Sequence, residues 1–483
     1  MNGKIIAAKA SSLTTKNRQK AERGGSVKFA PLGGGNSIGG SCYLLEAAGR
    51  KIIMDCGVRF RKNGEGKNEI FLPDRKRIRN EKIDLILISH AHLDHLGAAP
   101  RLAAQHPEAA IFMTAPTLAI GTLLLEDMLK IRKQEEKKAA RRLSPPVFNR
   151  RQLDWFFSRI NPIVEPGWFS PLPGWEMNFW PAGHIRGAAS VLLKTPEGAA
   201  MFTGDISAGE QPTVGGARLP EADFRPDVLV TESTYGGRNL PPREAEVDRL
   251  VGKILDVKRR GGKVLIPAFA VGRSIDVALD LVGHGIPVYL DGMARGMAEI
   301  YHADASWCKL DKPFPLPDLI EEGFVTMVPR EKEEGHQCRE SWLAGENFGG
   351  HDFAVMISPS GTLDGGFARK YAKRIFGEYR SAIFFPGFLM EGTAGRQVTE
   401  IERGRAVKVD DEVFNVRCEV ERFNLSAHDS ADNLAARVAE LSPRRVVLVH
   451  GEPDAQRALR ERLAALSPPP EVFEGKAGKI IEL

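Results

Sequence analysis

Residues 89–100 read SHAHLDHLGAAP and place His90, His92, Asp94 and His95 within six positions. Imidazole and carboxylate are the ligands zinc takes in catalytic sites, whereas structural zinc sites favour cysteine. The five cysteines (Cys42, Cys56, Cys308, Cys338 and Cys418) are scattered and form no CxxC pair. Their pattern argues against a disulfide framework and for a reducing cytoplasm. Further ligands are expected from small-residue loops that permit close approach: His184 in PAGHIRGAAS, Asp205 in FTGDIS and His450 in VLVHGE. A lone histidine is commonly just a surface or hydrogen-bonded residue. Four coordinating side chains in six positions call for a metal.

The elements that must position these groups are short apolar runs. They are RKIIMDCG (50–57), DLILISHAH (84–92), AAMFTGDIS (199–207), DVLVTESTYG (227–236), GGKVLIPAFAVGR (261–273), IPVYLDG (286–292), DFAVMISPSG (352–361), SAIFFPGF (381–388) and RRVVLVHGE (444–452). Continuous β-rich runs predict strands buried on both faces. Helical stretches between them, such as 243–260 and 431–441, make the chain α/β. The chemistry then falls at the carboxyl ends of strands, where open α/β sheets place their sites. In an extended segment His90 and His92 point the same way, because side chains alternate. The turn that follows swings Asp94 and His95 toward a neighbouring point, so one loop can serve two metals.

A length of 483 residues predicts two or three domains, and 42% hydrophobic with 27% charged residues describes a globular chain. No apolar stretch approaches the ~18–20 residues of a membrane span, and the N-terminus lacks the apolar core of a secretory signal. No membrane is therefore expected as a partner. The formal charge is +5, and residues 1–25 account for it through Lys4, Lys9, Lys16, Arg18, Lys20 and Arg23 against Glu22. Such a tail is a solvated end unless a polyanion meets it. The run KIRKQEEKKAARR (130–142) predicts an exposed, charged helix.

The order HxHxDH, isolated His, Asp resembles the metallo-β-lactamase fold. TESTYG (231–236), VLIPAFAVGRS (264–274), SPSGTLDGG (358–366), GFLMEGTAGR (387–396), FNLSAHDS (423–430) and VLVHGEPDA (447–455) follow in the order of the motifs of its β-CASP branch. That branch holds the nucleases related to the cleavage-and-polyadenylation endonuclease subunit and to bacterial RNase J. The resemblance covers roughly 27–465. It implies an α/β, αββα metallo-β-lactamase sandwich with an inserted β-CASP domain. On that basis 1–25 is a basic disordered tail, 26–236 and 409–483 are the two parts of the lactamase-like domain, and 237–408 is the insert. Helices at 118–142 and 150–159 would elaborate the lactamase-like part.

The resemblance also implies roles. His90, His92 and His184 would ligate a first zinc, and Asp94, His95 and His450 a second, with Asp205 bridging them: two Zn2+ per chain. Glu232, His428 and His450 match the motif A, B and C residues. Asp94, Glu232 and His428 are the expected catalytic groups, with His428 as general acid oriented by Glu232. Asp55 and Asp84 match carboxylates that hold ligating imidazoles by their free N–H. Two departures stand out. GGGNSIGG carries Ser37 where relatives often have an acid, and the loop reads as a turn near the metals. GHIRG carries Arg186 where an apolar residue is usual, so a cation could reach phosphate there or point to solvent.

The expected reaction is zinc-dependent hydrolysis of RNA phosphodiester bonds. Two metals activate a hydroxide for in-line attack, leaving 5′-phosphate and 3′-OH ends. The expected role is a cytoplasmic endonuclease of RNA processing or decay, with exonuclease action left open. Glycine-containing loops with Arg273, Ser360 and Thr362 are candidates to cradle phosphate. His450 at motif C points to RNA, since the DNA-active, Artemis-related branch tends to carry valine there. The alternatives are a DNA nuclease of the same superfamily, a small-molecule metallo-hydrolase, which would need neither the insert nor Glu232 and His428, and a metal-free scaffold, which would not keep all seven ligand positions. RNA is the expected partner, with a homodimer left open and protein partners unassigned.

Overall fold

In the computed structural model every apolar run quoted above contains a strand. The structure describes residues 27–62, 68–139, 145–303, 307, 312–346, 350–410 and 412–483. The basic tail, Cys308 and the end of the charged run at 130–142 lie outside the described residues.

Alternation of side chains builds the layers. In the first sheet (strands 481–482, 28–33, 42–47, 50–54, 85–87, 110–114 and 160–163, in that spatial order), Ile52, Met54, Leu85 and Leu87 face one core. Ile53 and Ile86 face the opposite one, where Leu102, Leu125, Leu153 and Phe156 bring in helices. The second sheet (471–474, 445–449, 228–232, 198–202, 189–195, 176–181) shares the first of these cores through Val191, Phe202, Val230 and Val447. Its other face sends Leu192, Met201, Leu229 and Leu448 into a second helical layer. The result is the expected helix–sheet–sheet–helix sandwich, with sheets packed face to face.

That second helical layer is shared with a third sheet (325–327, 288–290, 355–358, 264–267, 382–385, 419–422), whose pairings are all parallel. Val264 and Ile266 point into the shared layer, while Leu265 points away to Met356 and Phe385. Helix Arg243–Arg259 shows how the layer is made. Val247, Leu250, Ile254 and Val257 recur at 3–4-residue spacing and are buried, acids occupy its first turn and bases its last, and both complement the helix dipole. It ends at a turn where a Cβ on Gly262 would lie 1.8 Å from the Arg380 carbonyl oxygen. Among the described residues no helix is long and apolar enough to cross a membrane.

The charged run is a helix, Ala115–Ala139, that starts earlier than expected. Cys42, Cys56, Cys338 and Cys418 are free thiols.

Candidate metal centre

The site gathers where strands of the two sandwich sheets end. Asp55 follows Arg50–Met54, His90 follows Leu85–Leu87, Asp205 follows Gly198–Phe202, Glu232 closes Val228–Glu232 and His450 follows Arg445–Val449. His92 is still extended (φ −58°, ψ 142°) and caps a one-turn helix, Leu93–Leu96. That switch of period, rather than a plain turn, separates Asp94 and His95 from the His90/His92 pair.

One group of donor atoms comes from His90, His92, His184 and Asp205, and a second from Asp94, His95 and His450; within each, all atoms lie within 4.8 Å of one another. Asp205 lies between them. Its Oδ2 is 3.5 Å from His90 Nε2 and 3.3 Å from His95 Nε2. Its Oδ1 is 3.2 Å from His450 Nδ1 yet accepts no hydrogen bond, although buried. A buried carboxylate oxygen without a donor is costly, and a cation shared between the groups would satisfy it.

Outer partners orient the imidazoles. Asp55 is fully buried and held at φ +58°, a left-handed conformation costly for a non-glycine residue. It accepts from His95 Nδ1 (2.8 Å), from the Ser89 backbone N–H (2.7 Å) and from Ser89 Oγ (2.8 Å). With that hydroxyl proton spent on Asp55, Ser89 Oγ accepts from His90 Nδ1 at 3.0 Å. One carboxylate thereby presents the Nε2 atoms of two histidines. His184 Nδ1 donates to the Ala427 carbonyl (2.7 Å), which likewise leaves Nε2 for the cluster. His450 is also left-handed (φ +48°), and its N–H donates to the Gly34 carbonyl at 2.8 Å. The GGGNSIGG loop thus supports His450 through its backbone.

The electrostatics suit a cation. Burial pushes His90 and His184 well below their ordinary range and His92 down to about 4, so all three are neutral donors. Burial alone would raise Asp94 and Asp205, but neighbouring imidazoles outweigh it: His95 and then His450 for Asp94, His450 and then His95 for Asp205, holding both below the usual carboxylate range. His95 goes the other way. Burial opposes its charge, yet Asp205, Asp94 and Asp55 together raise it well above normal. A divalent ion among those carboxylates would take the place of that proton, as metal binding does at deprotonated ligands.

Glu232 and His428, 196 positions apart, meet beside the first group. His428 Nδ1 lies 3.0 and 2.9 Å from the two Glu232 carboxylate oxygens. The fully buried Glu232 also accepts from the Ile206 N–H at 2.8 Å. The His428 ring centroid is 4.6 Å from that of His184. Burial opposes charge on His428, but Glu232 and then Asp205 raise it to about 10.

The remaining expected residues are placed differently. Asp84 does not reach an imidazole; it accepts from Arg50 Nη1 (2.9 Å) and the Lys51 N–H (3.0 Å) at a strand edge. Arg186 is fully buried, its guanidinium donating to the carbonyls of Tyr301 and Lys312 and stacking on the Tyr301 ring. It ties the loop after Glu176–Pro181 to helix Met293–Ala303 and to Lys312, and offers no charge to solvent. Arg273 opens helix Arg273–Gly283 with its Nη1 buried and unbonded, 3.8 Å from Asp276. Its loop touches the site, since a Cβ on Gly272 would sit 2.8 Å from Ile185 Cγ2. Ser360 and Thr362 hydroxyls bond each other at 3.0 Å within their own loop. No side-chain signal in the sequence marks Ser89, Gly34 or Ala427, because the last two act through a backbone carbonyl and the first is a common residue type.

Comparison with known proteins bears on the family. Residues 36–267 match the model of the metallo-beta-lactamase superfamily, 278–398 that of the Beta-Casp domain, and 414–469 that of a Zn-dependent metallo-hydrolase RNA specificity domain. Cleavage and polyadenylation specificity factor subunit 3 of Dictyostelium discoideum is 28% identical over 456 residues, 91% of this chain but 55% of that protein. Integrator complex subunit 11 of Danio rerio is 27% identical, covering 90% of this chain and 71% of its own. Probable RNase MJ4 of Methanocaldococcus jannaschii is 29% identical, covering 86% and 91%. A crystal structure of a protein of unknown function from Enterococcus faecalis V583 shares the fold, with a TM-score of 0.55 at 15% identity over 95% of this chain and all of that one.

Proposed function

The chain belongs to the β-CASP branch of the metallo-β-lactamase superfamily, and from that premise we propose that it is a zinc-dependent ribonuclease. The observation that carries the reading is the His428–Glu232 pair set against His184, because a proton donor beside a two-metal site is what departure of a ribose oxygen requires. His90, His92, His184 and Asp205 would hold one zinc, and Asp94, His95, His450 and Asp205 the other. When bound, such a pair supplies Lewis-acid stabilisation of the phosphate and an activated water.

The chain's own residues do the rest. Asp55 and Ser89 hold His95 and His90 in register, and the Ala427 carbonyl holds His184 in one tautomer. Glu232 keeps His428 protonated with its Nε2–H free to pass a proton to the leaving 3′-oxygen, a contribution of typically ~10²–10⁴-fold. Because Ala427, whose carbonyl holds His184, precedes His428 in the chain, the acid is positioned with the cluster. The upstream product keeps its 3′-OH and the downstream one its 5′-phosphate. Arg273 would contribute charge toward the polymer, and the Ser360–Thr362 loop its backbone N–H groups. The curated relatives named for RNA processing and RNase action, together with His450, support RNA as substrate. We place the enzyme in the cytoplasm, with the lactamase-like unit at 26–236 and 409–483 around the insert 237–408, except that strand Glu419–Arg422 pairs with Ala382–Phe385 and so belongs with the sheet of the insert. The test is cleavage of labelled RNA and DNA of equal sequence by zinc-loaded protein. RNA should be cut much faster, giving 5′-phosphate ends; equal rates on DNA, or a 2′,3′-cyclic phosphate product, would refute it.

A further inference from the structure

Resting on the RNA-hydrolase reading, we propose that Arg238, Arg396 and Arg422 form a phosphodiester-binding subsite for the nucleotide next to the scissile linkage, on the His428 side of the metal cluster. Tyr235 fixes the location. It lies three residues beyond Glu232, its ring meets that of His428 edge-on at 6.1 Å, and its backbone bridges to Ser430. Arg238 lies over the Tyr235 ring at 4.5 Å. Arg422 ends the strand Glu419–Arg422 and donates from Nε to the Gly387 carbonyl at 3.0 Å. Arg396 comes from the same 387–396 segment. Arg422 is near enough to bond the Tyr235 side chain and to feel the charges of Arg238 and Arg396, so three guanidinium groups from three stretches of chain lie on the Tyr235 side of the proton donor.

Their charges are not balanced in the way of their neighbours. On the same strand Glu419 pairs with Lys253 and Arg260, and Glu421 with Arg249 and Lys253. Among the described residues Arg396 pairs only with Glu400, one helical turn on. Among the described residues neither Arg238 nor Arg422 has a carboxylate within ion-pair distance. Arg422 is lowered from its ordinary value by burial first, and Arg238 and Arg396 add like-charge repulsion. Arg238 is exposed and the other two are half-buried, so an anion can reach them. Three clustered cations with one counter-charge between them, beside a catalytic group, mark an anion site. The guanidinium fork matches phosphate oxygens bidentately, and backbone contacts of this kind set the position of the strand. The subsite would hold the neighbouring phosphate so that the next linkage falls between the metals and His428.

The test uses short single-stranded RNAs in which one phosphodiester at a time is replaced by an uncharged methylphosphonate. Binding is measured on the full chain carrying Asp94→Ala, and KM and kcat on the otherwise unaltered enzyme. One neutral linkage adjacent to the cleaved one should weaken binding roughly 10–100-fold, the range for a hydrogen-bonded charge, and raise KM with little change in kcat. Arg238→Gln, alone and with Arg396→Gln, should weaken binding of all-phosphate RNA and become indifferent to that one replacement while staying sensitive to others. Unchanged zinc content and thermal midpoint would show that the fold is intact. A variant as sensitive at that linkage as the parent, or the absence of any sensitive neighbouring linkage, would overturn the subsite. Failure of the enzyme reading would show separately, as no RNA cleavage by the unaltered protein.

Discussion

Replacing Glu232 by Gln tests the proton-donor role most directly, because the two side chains have the same shape. Glu232 is fully buried, accepts from the Ile206 N–H at 2.8 Å and holds His428 Nδ1 within 3.0 Å. A glutamine can keep the Ile206 bond through its carbonyl oxygen. Its NH2 group then faces Nδ1, which must lose its proton to accept. The rise of His428 from 6.5 to about 10 corresponds, at ~1.4 kcal/mol per unit, to about 5 kcal/mol of preference for the imidazolium. That is an upper bound, and bound cations would reduce it. Glu232 is the largest favourable contributor, and without it burial should bring His428 to or below its ordinary value. At pH 7.5 about a tenth or less of the molecules would then carry the proton. kcat on RNA should fall on the order of 10–100-fold, within the range for a general acid. The loss should shrink as pH is lowered toward 6, where the unaltered enzyme stays flat. His428→Ala should fall further and show no such recovery. Neither change should matter for a p-nitrophenyl phosphodiester, whose leaving group needs no proton. Metal content should be unchanged in both. Full RNA activity of Glu232→Gln at pH 7.5, an equal loss on the activated ester, or loss of zinc would refute the assignment.

The purified protein should contain two zinc ions per chain, and Asp94→Ala with His95→Ala should retain about one; metal analysis after dialysis reads this out, and full activity after exhaustive chelation would contradict the metal mechanism. Asp55→Asn should lower metal affinity about 10–100-fold, since it serves both His95 and, through Ser89, His90. Asp84→Asn should leave metal binding unchanged and cost at most ~1 kcal/mol of stability, as befits a partly exposed ion pair. Arg186→Met should destabilise the fold by roughly 2–4 kcal/mol in denaturant titration, because the Tyr301 and Lys312 carbonyls lose a charged donor inside the protein. It should leave RNA affinity unchanged once folding is allowed for; a selective loss of affinity would restore a phosphate role.

The His/Asp cluster was legible in the sequence because its chemistry is local. His90, His92, Asp94 and His95 fall within six positions, and the apolar run before them forms a buried strand, Leu85–Leu87. The parallel strands were legible for a related reason. Buried on both faces, Val264–Pro267 is apolar throughout and Val355–Ser358 is apolar up to its closing serine. Strands that face solvent or carry mixed residues, such as Glu176–Pro181 and Arg59–Lys62, lack that signature and went unmarked.

Tertiary structure alone decided what the remaining charged side chains do. Asp55 and Asp84 both stand at strand ends or edges of the first sheet. Only the φ +58° turn at Asp55 aims a carboxylate back at His95 and Ser89, while Asp84 meets a neighbouring strand's arginine. Arg186, two residues from His184, read as a cation beside the metals, yet the helix Met293–Ala303 covers it and takes its charge on a carbonyl. Type and spacing determine which groups a chain can bring to a site. Whether a carboxylate or guanidinium faces metal, substrate or a backbone carbonyl depends on which distant segment packs against it. The Glu232–His428 contact joins residues 196 positions apart, and it exists only because the strand ending at Glu232 and the loop entering Ala431–Leu441 close on the same edge of the sheet.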